Sequence, residues 1–170
     1  MEAQKNKNET IEEWIVRFLS EHHMTITTVE SCTGGMIAST IVNVSGASSV
    51  FREGYVTYSN EAKEKMVGVN PKTIEQYDVV SNEVAKEMAM GGCRVSGADV
   101  AVSVTGLAGP GGGTEEIPVG TVCIGVCIQS AYLKKQVCAR TFHFTGDRLR
   151  IRTEACETAL RFVREILEES

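Results

Sequence analysis

The chain has little of what several protein classes need. Its six cysteines, Cys32, Cys93, Cys123, Cys127, Cys138 and Cys156, include no Cys-x-x-Cys pair. Neither a disulfide framework nor a zinc site is expected, and five of the six read as reduced core thiols. The three histidines, His22, His23 and His143, lie in no recognisable motif; no metal and no cofactor are expected. A net charge of −5 argues against a nucleic-acid-coating surface and a polybasic anchor, so nucleic acid and membrane are not expected partners. The longest apolar runs are too short to span a bilayer. Residues 1–9 are polar and mixed in charge and lack the apolar core of a signal peptide. A flexible tail over residues 1–9 and a cytoplasmic location are expected. No repeat or linker divides the remainder, and residues 10–170 read as one domain able to bury a real core.

The most informative stretch runs from Thr27 to Gly35, Thr-Thr-Val-Glu-Ser-Cys-Thr-Gly-Gly. It reads as a short strand that ends at a turn and feeds a buried helix over 36–42. Such a turn leaves backbone N–H groups at the helix start, where they can cradle an anion or an oxyanion. Ser31, Cys32 and Thr33 place hydroxyl and thiol groups at that point. A plain helix cap is the alternative use of Ser31 or Thr33.

Thr10 and Glu13 form a capping-box pattern that opens a helix over residues 10–22. Residues 51–59 alternate as a strand, and Ser59-Asn60 caps a short helix containing Lys63. A lysine in a first helical turn opposes the helix dipole, and such local conflicts concentrate at functional sites. Gly68 to Pro71 reads as a turn. A helix opens at Ser81, and residues 98–105 form a buried, continuously apolar strand. The segment 105–114 holds five glycines, which let a backbone approach a ligand closely. It lacks the Gly-Lys-Ser/Thr of a Walker loop. Strands over 119–126 and 136–144 follow, and Asp147 caps a long C-terminal helix. Arg148, Arg150 and Arg152 crowd its first turns, either as a solvated face or as a phosphate contact. The expected fold is α/β, a three-layer α/β/α sandwich with a mixed, mostly parallel sheet.

Three segments together resemble the CinA C-terminal domain family: Val29 to Gly35, Gly54 to Lys63, and Val104 to Gly112. Pro118 to Val122 and Gly146-Asp147-Arg148 also match, and the resemblance spans about residues 10–168. It implies a nicotinamide-nucleotide amidase, which hydrolyses the carboxamide of nicotinamide mononucleotide to nicotinic acid mononucleotide and ammonia. It further implies Ser31 as nucleophile, Lys63 as general base and Tyr58 as a hydrogen-bonding partner in proton transfer. Lysine can serve only if its pKa falls from about 10.4 toward 7–8, so Lys63 is expected in a closed pocket, with Lys65 exposed and dispensable. The oxyanion donors are expected at Thr33 and Gly34 or at the Thr105-Gly106 turn. Gly35, Gly109, Gly111 and Gly112 are expected to shape the nucleotide pocket, and Arg148 to meet the phosphate. Tyr55 could exchange roles with Tyr58. A homo-oligomer is expected, because Met- and Val-rich surface needs burial.

Two other readings compete. Cys32, near a helix N-terminus, is the rival nucleophile, but it would want a histidine partner that no motif supplies. From another class, a non-catalytic nucleotide-binding or competence- and recombination-associated module would keep the glycine loops without the acid–base residues.

Overall fold

The computed structural model describes residues 9–170, so the tail expected over 1–9 lies, apart from Glu9, outside the described residues. Helix α1 (Ile11–Glu21) opens on the expected capping box. Thr10 Oγ1 accepts the Glu13 N–H, and the Thr10 N–H donates to Glu13 Oε2 at 2.8 Å. Its buried face is Trp14, Ile15, Val16 and Leu19. Strand β1 (Ile26–Glu30) is buried along its whole length and leads through the 31–35 turn into α2 (Met36–Val42). Strand β2 (Phe51–Val56), α3 (Asn60–Val67), α4 (Pro71–Tyr77) and α5 (Asn82–Ser96) follow. Three strands, β3 (Val100–Gly106), β4 (Thr121–Ile128) and β5 (Gln136–His143), then precede α6 (Arg148–Glu168).

The five strands form one sheet in the order β2-β1-β3-β4-β5. Helices α1, α2 and α6 pack together on one face, and α5 covers the other with α3 and α4 beside it. The three-layer α/β/α architecture is therefore observed. The sheet is mixed, but parallel pairing makes up half of it rather than most. β1 pairs in parallel with β2 and β3, whereas β3–β4 and β4–β5 are antiparallel. The reason lies in the connections: the last three strands follow one another with no helix between them, and consecutive strands return antiparallel.

Helix α4 is an addition to the sequence reading, which saw only a turn there. Asn70 Oδ1 accepts the Lys72 N–H at 3.0 Å and Pro71 occupies the first turn, both ordinary start signals. The helix buries none of its seven residues, so no apolar stripe marks it.

Two features of the fold position the site. The chain leaves β1 for β2 on one side and then crosses to β3 on the other, and a crevice opens beyond the carboxyl ends at such a switch. Register aligns those ends, since Glu30 pairs with both Val56 and Val104. The second feature is the close seating of α3 on α5. A Cβ on Gly91 would come within 1.9 Å of the Val67 carbonyl oxygen, so only glycine permits this approach. Val67 lies one turn beyond Lys63 on α3.

Candidate active site

Ser31 is the first residue beyond β1, and its N–H donates to the Val104 carbonyl at 2.9 Å. Lys63 reaches it from the first turn of α3. Its Nζ lies 3.1 Å from Ser31 Oγ and donates to the Thr57 carbonyl at 2.9 Å. Lys63 is 1% exposed and pairs with no carboxylate among the described residues. Burial lowers its pKa from 10.5 to about 8, a small opposing effect coming from the Cys32 thiol. The neutral amine is thus accessible near neutral pH, as a base requires. Lys65, two residues on, is exposed.

These groups open onto a cleft of about 240 Å³ lined by Ser31, Cys32, Tyr58, Asn60, Lys63 and, across from them, Thr105 to Gly109, Gly111 and Arg148. Val79 and Val80 add an apolar wall. Thr105 Oγ1 donates to the Val79 carbonyl at 2.8 Å and so ties that wall to the end of β3. At the rim, Arg148 donates Nη1 to the Gly109 carbonyl at 2.7 Å and Nη2 to the Tyr58 hydroxyl at 2.8 Å. It forms no ion pair among the described residues, which leaves an uncompensated cation at the mouth.

Several expected residues sit elsewhere or are already engaged. Tyr58 is 60% exposed at the rim and bonded to Arg148 rather than to Lys63. Tyr55 does not line the cleft. Its ring packs against Val29, Val67, Val69, Val84 and Met88, and its hydroxyl donates to Glu53 at 2.8 Å. Thr33 is fully buried, and the Gly34 N–H is taken by the Ser31 carbonyl at 3.0 Å. Gly35 donates its N–H to Glu30. Gly34 and Gly35 both adopt positive φ, 60° and 98°, so the turn itself demands glycine. Gly112 is not among the residues lining the cleft, whereas Gly106, Gly109 and Gly111 are.

The sequence reading assigned no role to Glu30. Its carboxylate, fully buried, accepts the N–H groups of Gly35, Ile37 and Ala38 at 2.9 to 3.1 Å. The start of α2 is therefore filled from within the protein, and the anion-cradling role expected there is occupied by Glu30. An acid inside an otherwise apolar, β-branched strand was the available signal. Arg152 was also missed as a contact to the turn: it donates to the carbonyls of Cys32 and Thr33 at 2.9 and 3.0 Å. Cys32 is 5% exposed, and burial pushes its thiol up to about 11, against the pull of Arg152 and Lys63. No histidine lines the cleft. A thiol held protonated without a base is a poor nucleophile.

With this geometry in place, comparison with known proteins is direct. The model of the CinA C-terminal domain matches residues 8–167. The chain belongs to the CinA C-terminal domain family. It is 49% identical over 160 residues to a CinA-like protein of Chloroherpeton thalassium, covering 94% of this chain and 38% of that one. A CinA-like protein of Chlorobaculum tepidum is 49% identical over 152 residues, covering 89% and 36%. The chain thus spans well under half the length of these curated relatives. Solved CinA structures match it nearly end to end. The competence/damage inducible protein CihA of Agrobacterium tumefaciens superposes with TM-score 0.86 at 35% identity, covering 91% of this chain and 92% of that one. A CinA superfamily protein of Escherichia coli gives TM-score 0.86 at 32% identity, covering 96% and 94%. Among the described residues of this CinA domain, no helix is long and apolar enough to cross a membrane.

Proposed function

We propose that this CinA domain is a Ser–Lys amidase that hydrolyses the carboxamide of nicotinamide mononucleotide to nicotinic acid mononucleotide and ammonia. The observation that carries the reading is a buried lysine amine, without a carboxylate partner, 3.1 Å from a serine hydroxyl at the head of a cleft. Neutral Lys63 takes the Ser31 proton as Oγ adds to the carboxamide carbon. The resulting ammonium then protonates the amide nitrogen, the C–N bond breaks and ammonia leaves. Ser31 now carries the nicotinoyl group as an ester, still bearing its ribosyl phosphate. Lys63 next deprotonates a water, which adds to the ester carbon, and Ser31 departs with the proton returned by Lys63.

The substrate is supported by the cleft's two chemistries. Val79, Val80, Leu107 and Ala108 offer apolar surface to a pyridine ring, and exposed Arg148 offers a forked donor to a phosphate. Tyr58, bonded to Arg148, belongs in this reading to the rim that meets the nucleotide, a step away from its expected part in proton transfer. The test is ammonia release from nicotinamide mononucleotide by wild type, Ser31→Ala and the exposed control Lys65→Ala. Activity in wild type and control with none in folded Ser31→Ala supports the reading. No ammonia from folded wild type refutes it.

A second reading is favoured by the names of the solved relatives, which speak of competence and damage: a nucleotide-binding module without turnover. It predicts nucleotide binding and no ammonia. We also propose a cytoplasmic protein that forms a homo-oligomer, the assembly supported by the exposed apolar side chains of Val42, Val56 and Leu149; sedimentation of the purified protein as a monomer would refute the assembly.

A further inference from the structure

The turn from Ser31 to Gly34 divides its backbone groups unevenly. The Ser31 carbonyl accepts the Gly34 N–H at 3.0 Å, and the Thr33 carbonyl accepts the Met36 N–H at 3.3 Å. Arg152, from the second turn of α6, donates Nε to the Cys32 carbonyl at 2.9 Å and Nη2 to the Thr33 carbonyl at 3.0 Å. Three consecutive carbonyls are engaged. The N–H groups of Cys32 and Thr33, in contrast, donate to no other residue among the described ones. In a trans peptide unit N–H and C=O point in opposite directions. The Cys32 N–H shares its peptide unit with the Ser31 carbonyl and the Thr33 N–H with the Cys32 carbonyl, so Arg152 orients the second directly and the first through Gly34, whose N–H shares the Thr33 peptide and holds the Ser31 carbonyl. Successive N–H groups so aligned make a nest for a negatively charged oxygen. Cys32 lines the cleft beside Ser31, whereas Thr33, buried directly behind it in the chain, and Arg152 do not.

We propose that Arg152 is a positioning residue, whose forked guanidinium holds the Cys32–Thr33 backbone so that its two free N–H groups form the oxyanion hole for attack by Ser31. The inference rests on the amidase reading and deepens it. As Ser31 Oγ bonds to the carboxamide carbon, the carbonyl π pair moves onto its oxygen, and the nest receives that charge. Donors fixed in advance stabilise the developing charge more than the neutral carbonyl, so their effect falls on kcat rather than KM. The start of α2 plays no part in this nest, because Glu30 already consumes the N–H groups of Gly35, Ile37 and Ala38. Lysine is no substitute for Arg152, since one ammonium cannot reproduce a planar fork across two carbonyls.

The test measures ammonia release from nicotinamide mononucleotide by wild type, Arg152→Ala and Arg152→Lys, with melting temperatures alongside. Loss of one oxyanion donor lowers kcat by roughly 10²- to 10³-fold in other enzymes. Loosening both donors is therefore expected to lower kcat of Arg152→Ala by about 10²-fold. KM should stay within about threefold of wild type, since ground-state binding is untouched. Added ethylguanidinium should restore part of kcat in Arg152→Ala, which a general loss of structure would not allow. Arg152→Lys, which keeps a half-buried cation, guards against a misfolded alanine variant and should show the same kcat defect with KM preserved. A folded variant with kcat within threefold of wild type, or with KM raised and kcat kept, overturns the inference. A wild type that releases no ammonia removes the amidase reading and this inference together, whereas an active wild type matched by Arg152→Ala removes the inference alone.

Discussion

Burying Lys63 makes the base available at a cost in stability that can be measured. Its pKa is lowered from 10.5 to about 8 in the folded protein. Between those values the unfolded chain holds a proton on this amine that the folded protein has released. Where the unfolded state binds more protons, stability rises with pH. Lys63 therefore destabilises the fold fully below pH 8, and the penalty fades as pH rises toward 10.5. The full penalty is about 3 kcal/mol, from roughly 1.4 kcal/mol per pKa unit. Between about pH 6.5 and 9.5 the recoverable part is about 2 kcal/mol. Lys63→Met keeps the side-chain length and removes the titration. The difference in unfolding free energy between wild type and Lys63→Met should thus shift by about 2 kcal/mol in favour of wild type across that range. For a chain of this size that is roughly 4–8 °C in relative melting temperature. Urea titrations of both proteins at each pH give the quantity directly, and subtraction removes every other titrating group. A pH-independent difference would refute the claim that burial holds Lys63 near neutrality.

Other consequences are as specific. Glu30→Gln turns an amide NH2 toward backbone N–H donors and should destabilise the fold by about 2–4 kcal/mol, checked by urea denaturation; an unchanged midpoint would show that the carboxylate is not needed at the head of α2. Gly91→Ala forces a Cβ against the Val67 carbonyl, outweighing alanine's helix preference, and should lower stability by about 1–2 kcal/mol. Because α3 carries Lys63, that variant should also lose activity at temperatures where it remains folded. Arg148→Ala should raise KM for the mononucleotide by about tenfold or more while leaving kcat near wild type, the pattern of a lost charge-assisted phosphate contact. Cys32, with its thiol at about 11, should react with iodoacetamide at pH 7.5 about 10²-fold slower than a free cysteine, followed by peptide mass spectrometry.

Much of this was legible in the residues because the relevant signals are local. The strand-to-glycine transition at Ser31 shows as a change of period, and Lys63 shows as a cation where a helix start favours acids. The capping box at Thr10 and the cap at Asp147 lie within three residues of their partners. What was illegible depends on contacts across the fold. Arg152 grips carbonyls 119 and 120 residues away, and a carbonyl leaves no trace in side-chain chemistry. Tyr55 and Tyr58 could not be separated until the chain left β2 at Val56, sending the first ring into a core and the second to the rim. Glu30 was read as part of a motif, but its three N–H partners follow from the path of the turn rather than from its neighbours' identities. Helix α4, capped but burying nothing, lacked the apolar period by which helices are recognised.

The central claim is that Lys63 activates Ser31, and it can be tested without assuming a substrate. Wild type and Lys63→Met would be treated with a sulfonyl fluoride across the pH range, and the modified residue located by peptide mass spectrometry. The account predicts a label on Ser31, at a rate that rises through about pH 8, and negligible labelling in folded Lys63→Met. A label on Cys32, or equal labelling of Ser31 in the two proteins, would contradict it.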